Sequence, residues 1–253
     1  RPVLIRNFMK FLMSLITLLI FSILLSGCAS EEKNLSTAEG AFKYAQEFED
    51  AERYEIALTK YADVKNKFPY SHLATESELA IADVHYKRES FAEAQVSYQN
   101  FRDLHPKHPK IDYVVYKIAM SYYSQLPETF DRDLSLGSDA IYHFDEVIKS
   151  YPKSTHASEC KEKRDETFQK MTEKELYIAD FYLKQKKYTA ALRRFESTLQ
   201  KYSGFGFDPR AHLGAARSAK ALDNSSKQKY HSNMLFTKYP NSDEAAKAKT
   251  EEL

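Results

Sequence analysis

Alanine recurs along this chain at a fixed interval: Ala45, Ala82 and Ala119 lie 37 residues apart, as do Ala57 and Ala94, and so do Pro69 and Pro106. An interval of that length is far longer than a helical or strand period and matches one supersecondary unit repeated along the chain. A unit of this size cannot bury its own apolar face, so its neighbours must complete the core, and the fold is an array. Composition agrees. The chain has 18 Tyr, 16 Phe, 8 Pro and 6 Gly in 253 residues, with 43% hydrophobic and 29% charged side chains. That mix suits helices joined by short turns and excludes a disordered chain.

Around the anchors the tetratricopeptide pattern can be read. It has a small residue on a first helix, a small residue on a second, an aromatic four positions later, and then a proline. The first repeat supplies Tyr44, Ala45, Phe48, Ala57, Tyr61 and Pro69, and the second supplies Ile81, Ala82, Ala94, Tyr98 and Pro106. The third supplies Ile118, Ala119 and Tyr122 and then, after an insertion near Gln125 to Ser135, Ala140, Phe144 and Pro152. The insertion, with Pro127 and the run Asp131, Arg132, Asp133, is a candidate contact loop, with a solvated loop as the default reading. In the fourth repeat Ile178, Ala179, Tyr182, Ala191 and Phe195 fit, but Ser203 stands where proline is expected. The fifth is degenerate, because Ala216 and Pro240 fit while Gln228 replaces the small residue. Alanines let paired helices approach closely, the aromatic fills the space beside them, and proline stops the second helix.

The expectation is therefore an all-α tetratricopeptide-repeat superhelix of about five helix pairs. The repeats fall near residues 36–71, 72–109, 110–154, 155–204 and 208–242, within an array spanning 36–240 and followed by a tail at 241–253. Helices are expected at 36–50, 53–67, 72–88, 91–104, 110–125, 136–150, 155–185, 188–202, 209–222 and 225–238. The seventh is expected to be long because neither Gly nor Pro occurs from Ser154 to Ser203.

Residues 1–27 read as a different kind of segment. Arg6 and Lys10 precede a stretch from Phe11 to Leu25 that is apolar except for Ser14, Thr17 and Ser22. A basic start, a short apolar run and small residues make a signal peptide, and about 15 apolar residues fall short of the ~20 that span a bilayer. Met9 reads as the natural start, with residues 1–8 as an extension. Leu25, Ser26, Gly27 and Cys28 then resemble the bacterial lipobox. That resemblance implies a lipid on the Cys28 sulfur, cleavage before Cys28 and acylation of the new amino group. A secretory cut near Ala29 or a retained membrane helix accounts for fewer of these features. Several acyl chains anchor stably where one holds marginally, at about 0.8 kcal/mol per buried methylene. With Ala29 rather than Asp after the cysteine, the resemblance to sorted lipoproteins implies the outer membrane, facing the periplasm. The tether, residues 28–35, leaves seven residues after Cys28 that reach at most roughly 25 Å, so the body sits close to the bilayer.

Removing the leader takes Arg1, Arg6 and Lys10 from the 37 basic residues, leaving 34 against 36 acidic ones. No clustered basic surface is present to hold nucleic acid. With one of two cysteines committed to lipid, a disulfide framework is excluded. Phosphate-loop, His-Glu-x-x-His and nucleophile-elbow motifs are missing, so no enzyme activity is expected. His105 and His108 are separated by Pro and Lys and lack a third ligand at metal spacing, and His156 with Cys160 is only a pair. No catalytic residue, metal site or cofactor is expected beyond the covalent lipid on Cys28.

First helices line the ligand-bearing side of such arrays. Positions six and three before the small residue, and one and four after it, are expected to face it. They are Glu39, Phe42, Gln46 and Glu49, then Glu76, Leu79, Asp83 and Tyr86, then Tyr113, Tyr116, Met120 and Tyr123. Three tyrosines and a methionine in one set point to a groove for an extended, aromatic-rich peptide, with Phe42, Leu79 and Tyr86 extending it.

Residues 101–123 carry His105-Pro106, His108-Pro109 and Ile111-Asp112-Tyr113-Val114. With Pro69-Tyr70-Ser71 and Asp131-Arg132-Asp133, this segment strongly resembles the BamD family, lipoproteins of the outer-membrane β-barrel assembly machinery. The resemblance runs over nearly all the chain after Cys28 and thins after Ser203. It implies a scaffold whose amino-terminal repeats bind the targeting segments of unfolded outer-membrane proteins, which end in an aromatic residue. Its carboxy-terminal repeats would dock on the barrel-forming insertase, alongside other assembly lipoproteins. Arg194 matches a basic residue that makes a charged contact with the insertase in that family. The alternative is another periplasmic repeat lipoprotein, an adaptor in pilus or cell-wall assembly.

Overall fold

A computed structural model describes residues 34–253, so the leader, Cys28 and most of the tether lie outside the described residues. The described residues form eleven α-helices and no strand: α1 Ala38–Asp50, α2 Tyr54–Lys67, α3 His72–Lys87, α4 Phe91–Leu104, α5 Ile111–Ser124, α6 Gly137–Ser150, α7 Ala157–Lys184, α8 Tyr188–Tyr202, α9 Asp208–Ala221, α10 Ser225–Lys238 and α11 Asp243–Thr250. None is long and apolar enough to cross a membrane. The chain divides into two compact units, Arg1–Ser77 and Glu78–Leu253. In the first, α1 packs on α2; in the second, each helix from α4 to α10 packs chiefly on its neighbours in sequence, as in a repeat array.

Two recurring turns build the helix pairs. Where a first helix meets its partner, Glu52, Glu89, Lys186 and Asp223 adopt φ of 55°, 61°, 57° and 52°. The next N–H then donates to a carbonyl five residues back: Arg53 to Phe48 at 2.8 Å, and Ser90 to His85, Lys187 to Tyr182 and Asn224 to Ala219 at 2.9 Å. This is a left-handed helix cap made without glycine. Where a second helix ends, Phe68, His105, Tyr151 and Tyr239 share φ from −126° to −129° and ψ from 45° to 55°. Each precedes a proline, whose ring disfavours helical geometry in the residue before it. Ser203, which has no proline after it, leaves the helix at φ −63°, ψ 143°. There the chain turns through Gly204 and Gly206, at φ of 93° and 90°.

The repeat residues form the core. Ala45, Ala57, Ala82, Ala94, Ala119, Ala140, Ala179, Ala191 and Ala216 are fully buried, and so, to within 1%, are Tyr61, Tyr98, Phe144 and Phe195. Burying each such ring contributes about 1.5–3 kcal/mol. The fifth repeat lacks this ring: four residues after Gln228 stands the buried Ser232. Two buried histidines meet there instead, His212 Nδ1 lying 3.0 Å from His231 Nδ1. Burial, aided by its neighbour, pushes the His212 pKa down to about 4, so His212 is uncharged at neutral pH, and burial lowers that of His231 as well.

Two expectations are corrected. The tail at 241–253 contains a helix, α11, capped by Ser242, whose side chain accepts from the Ala245 N–H at 3.1 Å. Its Ala245 and Ala248 are buried with Leu213 and Leu235, and Arg217 pairs with Glu251. The insertion after α5 is clipped onto α7: Lys170 Nζ donates to the Pro127 carbonyl at 2.8 Å, Lys174 Nζ to that of Arg132 at 2.5 Å, and Leu134 is buried. The 28 residues of α7 supply this docking length.

Gly214 lies where α9 meets the Phe195 ring. A Cβ there would fall 2.2 Å from Cζ, with two more ring atoms within 2.6 Å. Gly214→Ala should gain about 1 kcal/mol of helix propensity but lose more to overpacking, up to about 3 kcal/mol, lowering the urea midpoint. A raised midpoint would show that the ring can retreat. At the exposed Lys186, replacement by glycine should stabilise by about 0.5–1 kcal/mol by removing left-handed strain, whereas Lys186→Ala should give no gain.

Candidate functional site

Helix α5 buries Val114, Val115, Ile118 and Ala119 against its neighbours. The opposite stripe carries Tyr113, Tyr116, Lys117, Met120 and Tyr123, at the spacing of adjacent turns on one side of a helix. Helices α3 and α7 flank it, and carboxylates on both hold its tyrosine hydroxyls. Tyr113 Oη donates to Asp83 Oδ1 at 2.7 Å, the atom that also accepts from Tyr98 at 2.6 Å. Tyr116 Oη donates to Glu159 Oε2 at 3.0 Å, and Tyr123 Oη to Glu166 Oε2 at 2.6 Å. Burial first, then these carboxylates, push the pKa of Tyr113, Tyr116 and Tyr123 upward. The phenols stay neutral donors, their rings pinned in place. In turn the Tyr123 hydroxyl is the largest influence holding Glu166 below the usual carboxylate range, aided by Lys163 at 3.0 Å.

The expected groove residues divide. Tyr86, Tyr113, Met120 and Tyr123 are partly exposed on this stripe and its flank. Leu79 and Tyr116 are not available. Leu79 is 2% exposed and sits in a core with Ala82, Tyr98, Phe101, Val114 and Ile118. Tyr116 is 8% exposed, and His156 stacks on its ring at 4.2 Å with 9° between planes. The physical reason is local cover: Leu79 is enclosed by residues of α4 and α5, and the His156 ring of the next repeat lies over Tyr116. Phe42, in the first unit, is partly buried with its ring 5.3 Å from that of Tyr61.

Lys117 is the residue this register passed over. It lies four residues after Tyr113 and three before Met120, and its Nζ is 3.7 Å from the centroid of the Tyr86 ring. The signal was present in the sequence, since a helical stripe through 113, 116 and 120 includes 117.

At the foot of the stripe a cavity of about 380 Å³ is lined by Tyr123, Leu126, Phe130, Glu166, Lys170 and Phe207, among others. Arg194 stands elsewhere, on α8, where its Nη1 donates to Glu175 Oε2 at 2.6 Å and 39% of the side chain is exposed. An ion pair that open to water is worth about 0–1 kcal/mol and can be exchanged for another carboxylate. The histidines are occupied within the fold: His105 Nε2 lies 2.7 Å from Glu78, and the His108 ring lies against Phe101 at 5.1 Å. Cys160 is fully buried, and burial pushes its thiol pKa up to about 12, so it is inert.

Comparison with known proteins places this architecture. The family model YfiO, described as an outer membrane lipoprotein, matches residues 35–213. The outer membrane protein assembly factor BamD of Rickettsia prowazekii is 27% identical over 237 residues, covering 92% of this chain and 94% of that protein. Its counterpart in Neisseria gonorrhoeae is 24% identical over 216 residues, covering 81% and 80%. Among solved structures, the TPR2AB-domain:pHSP90-complex of yeast Sti1 is similar at a TM-score of 0.46 and 12% identity, over 83% of this chain and 80% of that one. The family match extends over more than half of the chain and ends within α9, where the repeat pattern itself degenerates. The chain belongs to the YfiO family of outer membrane lipoproteins, the family of the BamD assembly factors.

Proposed function

We propose that this chain is a non-catalytic scaffold of the outer-membrane β-barrel protein assembly machinery. It captures extended, aromatic-ended segments of unfolded outer-membrane proteins on the stripe of Tyr86, Tyr113, Met120 and Tyr123, and it docks on the barrel-forming insertase through the region of Arg194. It is held by lipid on Cys28 at the periplasmic face of the outer membrane, beside other assembly lipoproteins.

The observation that carries this reading is the stripe itself. Tyrosines whose hydroxyls are spent on Asp83 and Glu166 have fixed, partly exposed rings, and fixed rings bind at little cost in conformational freedom. Met120 beside them adapts to different apolar side chains. Recognition of this kind tolerates many sequences, as a receptor for varied unfolded clients requires. The names carried by the Rickettsia and Neisseria relatives support the same assignment.

The test is a mild-detergent pulldown of the tagged full-length chain from its native membrane. The insertase and other assembly lipoproteins should be recovered, and Arg194→Glu should cut insertase recovery about tenfold, the scale of one lost interfacial ion pair. Recovery of pilus or cell-wall proteins without an insertase would reject the proposal in favour of an adaptor.

A further inference from the structure

In the first four repeats a buried aromatic ring closes the second helix onto the first, but the fifth has Ser232 in that place. His212 on α9 and His231 on α10, 4% and 2% exposed, meet there instead, with 3.0 Å between their Nδ1 atoms. They line a cavity of about 330 Å³ whose rim includes the exposed Tyr230, so a proton has a short way in. Facing nitrogens at this distance need one proton between them, with one ring donating and the other accepting. One added proton leaves an imidazolium donating to an imidazole, and the contact survives. A second sets N–H against N–H and like charge against like charge, so the rings must part.

The charged groups around the pair leave that second charge uncompensated. On α8, Glu196 lies 3.5 Å from His231 Nε2, but Lys227 of α10 holds both its oxygens at 2.7 Å. On α9, Asp208 accepts from Ser203 and Tyr239, and Lys238 of α10 adds repulsion. Helices α7 and α11, which also pack on α9, present Asp180 and Glu251, and these are held by Arg210 and Arg217. We infer that the His212–His231 contact is an acid-released latch: it holds α10 on α9 at neutral pH, and acidification opens the fifth repeat while the earlier repeats stay closed. Burial, aided by His231, holds the His212 pKa at about 4 against an ordinary value of 6.5, and burial lowers that of His231 too. The opened repeat therefore binds more protons than the closed one. The latch contributes its full stability above about pH 6.5 and loses it as pH falls toward about 4. At pH 5 the change at His212 alone shifts the opening equilibrium about twentyfold.

The experiment is hydrogen exchange of the full chain in detergent micelles, read by mass spectrometry at about pH 7 and about pH 5 and corrected for the pH dependence of the chemical step. Opening of α9 and α10 should rise about twentyfold on acidification, while that of α2, which carries no histidine, changes little. The double variant His212→Gln with His231→Gln cannot titrate and should flatten the rise, whatever its baseline protection. His143→Gln, at a buried histidine of α6, should leave the rise intact. NMR of ¹³C-labelled histidines in the unaltered chain checks the latch without substitution: two rings should gain charge well below the ordinary histidine range, in step with the loss of protection. No rise in α9 and α10, a rise no greater than that of α2, or one that persists in the double variant overturns the latch. So does titration of all the histidines at the ordinary value.

Discussion

The close approach of alanine to alanine within the first four helix pairs is the contact on which the rest of the structure depends. A larger side chain at Ala82 or Ala94 would push α3 from α4, and the space that holds Tyr98 and Phe101 would no longer close. Tyr98 matters twice. It fills the core, and its hydroxyl shares Asp83 Oδ1 with Tyr113, so core packing on one side of α3 sets the position of a ring on the exposed side of α5. The candidate face is therefore an outgrowth of the core. Its tyrosines are oriented by carboxylates that the helix pairs hold at fixed separation.

Much of this was legible in the sequence, and the exceptions have physical reasons. The period of 37 residues and the prolines disclosed the helix pairs, because alanine and proline act through size and a missing N–H, which residue identity reveals directly. The left-handed turns at Glu52, Glu89 and Lys186 gave no warning, since the caps use ordinary residues and their strain is offset by the packing of the helices they join. Helix α11 carried a signal that went unused: Ser242 followed by two acidic residues and an alanine pair is a helix start. For the candidate face, a four-position register is too coarse to separate Tyr113, which is partly exposed, from Tyr116, which His156 covers. That covering group comes from the next repeat, 40 residues on, and no local pattern announces it.

Within the described residues, tyrosine rings and the carboxylates that hold their hydroxyls surround a single lysine on this side of α5. Ordered rings stand beside a flexible methionine on this side of α5, and the proposed capture of extended chains rests on that combination. The docked insertion and the cavity beside Tyr123 continue this face along α7.

The measurement that tests this account most directly is photo-crosslinking in the native membrane, with a photoreactive residue in place of Met120 and, as a control, in place of Tyr142, which is 66% exposed on α6. The account predicts adducts to unfolded outer-membrane proteins from position 120 and none from position 142. Adducts from position 142 alone, or equal yields from both, would contradict it.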